Sequence, residues 1–224
     1  MRPIAHIKSP FPEKFGIPRQ SNIVQDLTST IVFEPEFRNA DAIRGIEDFD
    51  YLWLIWQFSE NLDIPWSPTV RPPRLGGNQR MGVFATRSPF RPNALGLSSV
   101  RLVSVEPQSC DGPLLHVSGA DLMDGTPIFD IKPYLPYTDA HPEARSGFAP
   151  EAPKGSLDVV CDEYLLKKIP EEKRQSLLDL LAFDPRPSYH HDPQRVYGMK
   201  FFEFNIQFII NENGELRVLK IVKN

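Results

Sequence analysis

The spacing of apolar residues changes once along this chain, and the change divides it. Over residues 3–9 apolar and polar positions alternate, with Ile4 and Ile7 bracketing His6, which predicts a first strand. Residues 11–21 hold Pro12, Gly16 and Pro18 and read as an ordered loop. Residues 27–33 are apolar and β-branched, a second strand. Asn39 or Asp41 caps a short helix running to Arg44 and closed by Gly45. Residues 49–58 pack Tyr51, Trp53, Trp56 and Phe58 among Leu52, Leu54 and Ile55 without a helical stripe. They predict a strand buried on both sides or a barrel wall. After a Pro- and Gly-rich loop at 66–77, residues 81–86, 97–105, 114–117 and 128–131 read as four further strands between turn signals. Short strands with hardly a helix between them predict a closed or nearly closed β-barrel of about 145 residues.

Residues 139–155, rich in Pro, Ala and Gly, read as a linker. Beyond it, residues 157–169 and 171–182 carry helical spacing. Residues 199–210 and 216–222 form a hairpin around Asn213-Gly214, a dipeptide that supplies two positive-φ positions. The predicted organisation is a β-barrel domain over 1–145 and a small α+β domain over 146–224.

Composition narrows the class. The chain has 224 residues, 41% hydrophobic and 24% charged, which is ordinary globular usage, and its 23 prolines disfavour long helices. Cys110 and Cys161 offer neither a disulfide framework nor zinc spacing. No apolar stretch resembles a signal peptide, and none approaches the roughly 18 residues of a membrane span. These features predict a cytoplasmic protein with no membrane partner. A net charge of −4 argues mildly against a nucleic-acid partner. Its distribution argues the other way: residues 64–105 contain no Asp, Glu or Lys, but six arginines, Arg71, Arg74, Arg80, Arg87, Arg91 and Arg101. Arginine in preference to lysine suits bidentate recognition of carboxylate or phosphate.

Several signatures are missing. Residues 76–82 lack G-x-G-x-x-G spacing after a strand, and Val83-Phe84 stand where a P-loop needs Lys-Ser/Thr. His190-His191-Asp192 has no partner cluster for a metal. Polar residues set in stiff loops stand out instead. Pro18-Arg19-Gln20-Ser21 lies between two strands. Pro89 and Pro92 stiffen the segment carrying Arg87, Arg91 and Asn93. Asp121-Leu122-Met123-Asp124-Gly125 ends in a turn. Asp130 and Lys132 share one strand face.

Three segments carry a resemblance: Arg71-Pro72-Pro73-Arg74-Leu75-Gly76-Gly77, Met81-Gly82-Val83-Phe84-Ala85-Thr86-Arg87-Ser88 and Phe90-Arg91-Pro92-Asn93. Together with Asp121 to Gly125, Asp130-Ile131-Lys132-Pro133-Tyr134-Leu135-Pro136, and Asp184-Pro185-Arg186-Pro187 with Tyr189, they resemble the TrmO (TsaA-like, YaeB) tRNA methyltransferases. The resemblance spans essentially the whole chain. It implies a mainly β fold, a single-sheet β-barrel followed by the small α+β domain, working as a homodimer with composite active sites. It implies S-adenosylmethionine as methyl donor, no metal, and N6 of threonylcarbamoyladenosine beside the anticodon of threonine tRNA as acceptor. It places the donor at Pro18, Arg19, Gln20, Ser59, Glu60, Arg87, Leu97, Asp121, Leu122, Met123 and Asp124. Ser59 departs from the histidine of relatives. The chemistry of the residues is compatible: arginine for a methionine carboxylate, Asp121 or Asp124 for ribose hydroxyls, Leu97 or Leu122 against an adenine. The acceptor nitrogen is urea-like and must lose its proton as the methyl arrives. Asp130 is the candidate acceptor for that proton, with Asn93 and Tyr134 orienting the substrate. Arg71, Arg74, Arg91 and Lys132 are candidates for phosphate or for the threonyl carboxylate. The C-terminal domain is expected to bind tRNA or support the dimer. Two other readings stay open: a non-catalytic RNA- or nucleotide-binding module of the same fold, and a methyltransferase acting on another RNA or small acceptor.

Overall fold

The computed structural model describes residues 1–150, 157–186 and 192–223. Six strands close a barrel. They are β1 (Ala5–Lys8), β2 (Thr28–Phe33), β3 (Tyr51–Gln57), β6 (Leu95–Glu106), β7 (Leu114–Ser118) and β8 (Pro127–Pro133). Their order is β1-β2-β7-β6-β3-β8, every pairing is antiparallel, and β8 meets β1 through Ala5↔Ile128 and His6↔Pro127. The aromatic run is a barrel wall: Leu52, Leu54 and Trp56 point into the core while Tyr51, Trp53 and Ile55 face outward. Inside, they pack with Ile7, Ile31, Val100, Leu115, Val117 and Ile128.

The strand expected over 81–86 is not part of the barrel. Only β5 (Met81–Gly82) is extended. It pairs with β4 (Thr69–Val70) in a separate two-stranded ribbon, and a 3-10 turn, Val83–Ala85, follows. Prolines and glycines on both sides keep this ladder short. The short helix expected near 41 is a 3-10 turn, Ala40–Ile43, capped by Asn39, whose side chain accepts from the Asp41 amide.

Downstream, α1 (Pro136–Asp139) ends the barrel chain. A four-stranded sheet follows in the order β10 (Tyr197–Phe201), β11 (Phe204–Ile210), β12 (Glu215–Lys223), β9 (Asp158–Val160), with β9 parallel to β12. Helix α3 (Glu171–Ala182) lays Leu177, Leu180 and Leu181 into the core that backs this sheet. The helix expected over 157–169 is instead β9 followed by the short α2 (Glu163–Leu166), because Val159 and Val160 pair with Leu216 and Arg217. The strand expected over 199–210 is broken at Phe202, which has φ 51°. At the 211–214 turn Gly214 takes the positive φ expected of it and Asn213 does not. The Asn211 side chain secures the turn instead, accepting from the amides of Asn213 and Glu215 at 3.0 and 2.9 Å. Part of the expected linker (151–156), together with Pro187, Tyr189, His190 and His191, lies outside the described residues.

Candidate active site

Antiparallel closure sends three long connections to one end of the barrel: residues 9–27 after β1, 58–94 after β3 and 119–126 after β7. The remaining connections lie at the opposite end. The three-loop end is built on a chain of polar contacts rising out of the core. On β6, Gly96 and Ser98 face inward. A Cβ at Gly96 would lie 2.3 Å from the Trp56 ring, so the missing side chain lets that ring lie against the strand. The Trp56 indole N–H then donates to Ser98 Oγ at 3.0 Å, and the Ser98 hydroxyl donates to Asp121 Oδ1 at 2.6 Å. Burial raises the Asp121 carboxyl above its ordinary range. The Ser98 bond, backbone amides including that of Ser21, and the positive charge of Arg87 oppose the rise without cancelling it.

Arg87 comes in from the second loop and donates through Nη1 to Gln20 Oε1 on the first. Gln20 donates to the carbonyl of Arg19 at 2.5 Å, and Arg19 reaches the Arg186 carbonyl of the C-terminal domain at 3.1 Å. Asn22, at φ 63°, donates to Ser99 O and Ser99 Oγ at 3.0 and 3.1 Å, and its amide donates to Gly119 O at 2.8 Å. Gly119 (φ +75°) leaves no room for a side chain, since a Cβ there would stand 2.5 Å from Asn22 Oδ1. Lys14 ties the first loop to the second, donating to Glu60 O and Asn61 Oδ1, both at 3.1 Å. The 3-10 turn Ser59–Asn61 is thereby held beside the first loop.

Arg19, Gln20, Arg87, Asp121 and the Ser59-Glu60 turn thus converge, and Leu97 stands exposed on β6 beside Ser98. The structure limits what some of the expected residues can offer a ligand. The Leu122 side chain is wholly buried in the barrel core, so only its backbone is available to a ligand; its carbonyl accepts from Ser9 Oγ. Asp124 is engaged in the turn, Oδ1 accepting from the Ser9 amide at 2.9 Å while its own amide donates to Phe11 O. Arg91 is partly engaged in the same way. Its Nη1 donates to Val83 O and Thr86 O at 3.2 and 2.8 Å, which makes it a brace for the loop that carries Arg87.

The residues expected to handle the acceptor are spread out. Asn93 is exposed at the three-loop end. Asp130 and Lys132 form an ion pair at 3.0 Å on the outer face of β8, opposite Ile55 and Trp53 of β3. Tyr134 lies at the far end of the barrel, its ring 5.6 Å from that of Trp53 and 6.2 Å from that of Tyr51. There Asp139 accepts from Trp53 Nε1 at 2.8 Å and from the Leu135 amide at 2.9 Å, contacts that lower its carboxyl below the ordinary range, the amide first. Arg71 and Arg74 sit exposed on the excursion between β4 and β5. Among the described residues, Arg71, Arg80, Arg91 and Arg101 form no ion pair, whereas Arg87 lends its positive charge to the Asp121 carboxyl.

Sequence reasoning missed Ser98, Trp56, Asn22, Ser99 and Lys14. A signal existed for Ser98: period-two alternation puts it on the inward face with Gly96 and Val100, where a hydroxyl needs a partner. Among the described residues there is no group of three His, Cys, Asp or Glu placed to hold a metal, and no helix is long and apolar enough to cross a membrane.

Residues 6–140 match the family model of the tRNA-methyltransferase O N-terminal domain, and 157–224 that of the TrmO C-terminal domain. The chain is 41% identical over 219 residues to the tRNA (adenine(37)-N6)-methyltransferase of Escherichia coli (strain K12), across 94% of this chain and 93% of that protein. It is 40% identical over 227 residues to a Pseudomonas aeruginosa protein provisionally named S-adenosylmethionine-dependent methyltransferase RcsF, across 98% and 96%. A crystal structure of TrmO from Pseudomonas aeruginosa superposes with a TM-score of 0.80 at 34% identity, covering 99% of this chain and 95% of the other. With both parts of the chain matched, in sequence and in fold, this chain belongs to the TrmO family of tRNA methyltransferases.

Proposed function

We propose that this chain transfers a methyl group from S-adenosylmethionine to N6 of threonylcarbamoyladenosine, beside the anticodon of threonine tRNA. The reading is carried by the convergence of Arg87, Gln20 and Asp121, from three separate loops, on one barrel end in a chain of this family. The donor set fits the donor molecule. Arg87, oriented by Gln20, and Arg19 present guanidinium groups to a methionine carboxylate. Asp121 keeps one oxygen for Ser98 and offers the other to a ribose hydroxyl. Leu97 supplies an apolar surface for the adenine, and the backbone of Leu122 and Met123 supplies its polar contacts. Pro18 stiffens the first loop, and Ser59 and Glu60 close the second side through backbone atoms. When bound, S-adenosylmethionine would supply an electrophilic methyl on a cationic sulfur, for in-line transfer to the acceptor nitrogen with the sulfur leaving as a neutral thioether. Holding the two reactants in register therefore accounts for most of the acceleration asked of the protein.

Asp130 is the proposed acceptor of the nitrogen's proton, with Asn93 and Tyr134 orienting the base. Their spread over two ends and an outer face of one barrel supports a homodimer with composite sites. The outward face of β3 and β6 exposes Tyr51, Leu97 and Val103, apolar positions beside Arg101 and the Asp130–Lys132 pair that a second copy would cover. Asp130, Lys132 and Tyr134 of that copy would then complete the neighbouring site. Arg71, Arg74 and Lys132 are assigned to tRNA phosphate or the threonyl carboxylate. Replacing any one that binds phosphate with alanine should lower the salt slope of tRNA binding by about one.

The test is transfer of labelled methyl from S-adenosylmethionine to threonine tRNA with and without its threonylcarbamoyl group. Label on the modified tRNA alone supports the proposal. Equal label on both moves the acceptor elsewhere on the RNA. No label on either, from a folded dimer that binds the donor, leaves a binding module.

A further inference from the structure

The loop between β1 and β2 belongs to two cores at once. Its polar tip, residues 19–22, faces the barrel end, where Gln20 accepts from Arg87 and Asn22 donates to Ser99. On both sides of that tip its apolar residues turn away from the barrel. Phe11, Val24 and Leu27 are buried in the core of the C-terminal sheet, and Phe15, Ile17 and Ile23 pack against it. Polar contacts run along the same junction. The Phe202 amide donates to Pro10 O at 2.8 Å, and the Lys200 amide to Glu13 Oε1 at 3.1 Å, with Lys200 Nζ 3.6 Å from Glu13 Oε2. At Gly16 the loop lies so close to the sheet that a Cβ would stand 2.4 Å from Met199 Sδ, and φ there is +94°.

We infer that the C-terminal sheet is a positioning element of the donor site. Through Gly16 against Met199 and Glu13 on Lys200, it holds Arg19 and Gln20 where Gln20 fixes the Arg87 guanidinium, so donor affinity depends on the C-terminal domain of the same subunit. The inference rests on the placement of S-adenosylmethionine at this barrel end proposed above. The physical argument is one of entropy. Between its strand ends the loop is fastened to the barrel by Lys14 and Asn22, and with those anchors alone the freedom left to it would be lost each time ligand bound, at a cost set against affinity. Anchored on both sides of its tip by a second folded unit, it is ordered beforehand. The arrangement also accounts for the bond from Arg19 to Arg186 O, which fastens the tip itself to the same domain.

The experiment compares full-length Gly16→Ala, Glu13→Ala, Glu13→Gln and Arg87→Ala with the wild-type chain, by calorimetry with S-adenosylmethionine and by the separate KM values for donor and tRNA. Gly16→Ala strains the backbone and pushes the loop off Met199. Glu13→Ala removes both bonds to Lys200, while Glu13→Gln keeps an oxygen for its amide. The expected result is a donor Kd and donor KM raised at least fivefold in Gly16→Ala and Glu13→Ala, a Glu13→Gln chain restored to within twofold, and tRNA KM unchanged throughout. A lower kcat with donor KM unchanged would mean only that less of the chain folds, and would overturn the inference. Donor Kd within twofold of wild type in Gly16→Ala and Glu13→Ala, with Arg87→Ala still weakening it tenfold or more, would overturn it while leaving the donor site in place. Unaltered donor binding in Arg87→Ala would overturn the site and the inference together.

Discussion

Strand β3 carries two tryptophans that lead to opposite ends of the barrel, and each ends on an aspartate. Trp56 points inward and reaches Asp121 through the Ser98 hydroxyl; Trp53 points outward and reaches Asp139 directly. The hydrogen-bond donors are alike, but the electrostatics run in opposite directions. Asp121 lies largely out of water, and burial raises its carboxyl despite the Ser98 bond and the charge of Arg87. Asp139 is half-buried, and there the Leu135 amide and the Trp53 indole outweigh desolvation and lower its carboxyl. A carboxylate kept in a costly place, at the end where three loops meet, suits a ligand site; one kept in a favourable place suits a clasp for a chain segment. The signs follow from linkage. With its folded value raised above the 3.8 of the unfolded chain, Asp121 contributes stability that is present below that value and lost as pH rises through the folded one. With its folded value lowered, Asp139 contributes stability that is present above 3.8 and lost as pH falls through the folded one.

The largest expected effect breaks the Trp56 arm at its root. Gly96→Ala sets a methyl group into the Trp56 ring and should cost roughly 1–3 kcal/mol in urea unfolding, as overpacking does. Donor affinity should fall with it, since the Ser98–Asp121 chain starts from that ring. Next, Asp121→Asn separates stability from binding. The amide still accepts from Ser98 but carries no charge, so the melting temperature at pH 7 should equal or exceed that of wild type. The gap should close toward pH 3, while donor Kd rises about tenfold as one charge-assisted hydrogen bond is removed. The smallest effect is at the other end. Asp139→Asn should lower the melting temperature slightly at neutral pH and not at all in acid, with donor Kd unchanged. A drop in donor affinity there as large as that from Asp121→Asn would erase the distinction between the two ends.

Much of the barrel was legible in the sequence because alternation is a local property. Residues 3–9, 27–33 and 49–58 each contain the strand the structure shows, 97–105 lie inside the longer β6, and the aromatic run read as a strand, buried on both sides or a barrel wall, because no helical stripe passes through it. Expectations failed where a distant partner decides. Residues 157–169 have helical spacing, yet Val159 extends because Leu216 lies beside it. Residues 81–86 look extended, but the barrel offers them no edge, and only Met81 and Gly82 pair, with Val70 and Thr69. The site divides in the same way. Arg87, Gln20 and Asp121 were identified by resemblance, and the structure adds their contacts. Alternation sets Ser98 on the inward face, but its link to the Trp56 ring could be read only once cross-strand register set Gly96 opposite Trp56. Phe11, Phe15, Ile17, Ile23, Val24 and Leu27 are plainly apolar in the sequence, but nothing local says that they fill the core of the C-terminal sheet and not that of the barrel.

The most direct measurement follows the indole N–H resonances of Trp53 and Trp56 as S-adenosylmethionine is titrated into the full-length protein in the absence of tRNA. The Trp56 signal is expected to move in step with donor binding, because its Ser98–Asp121 chain ends at the proposed donor site, while the Trp53 signal stays in place. A Trp53 signal that moves while that of Trp56 stays would put the donor at the opposite end of the barrel and remove Asp121 from its site.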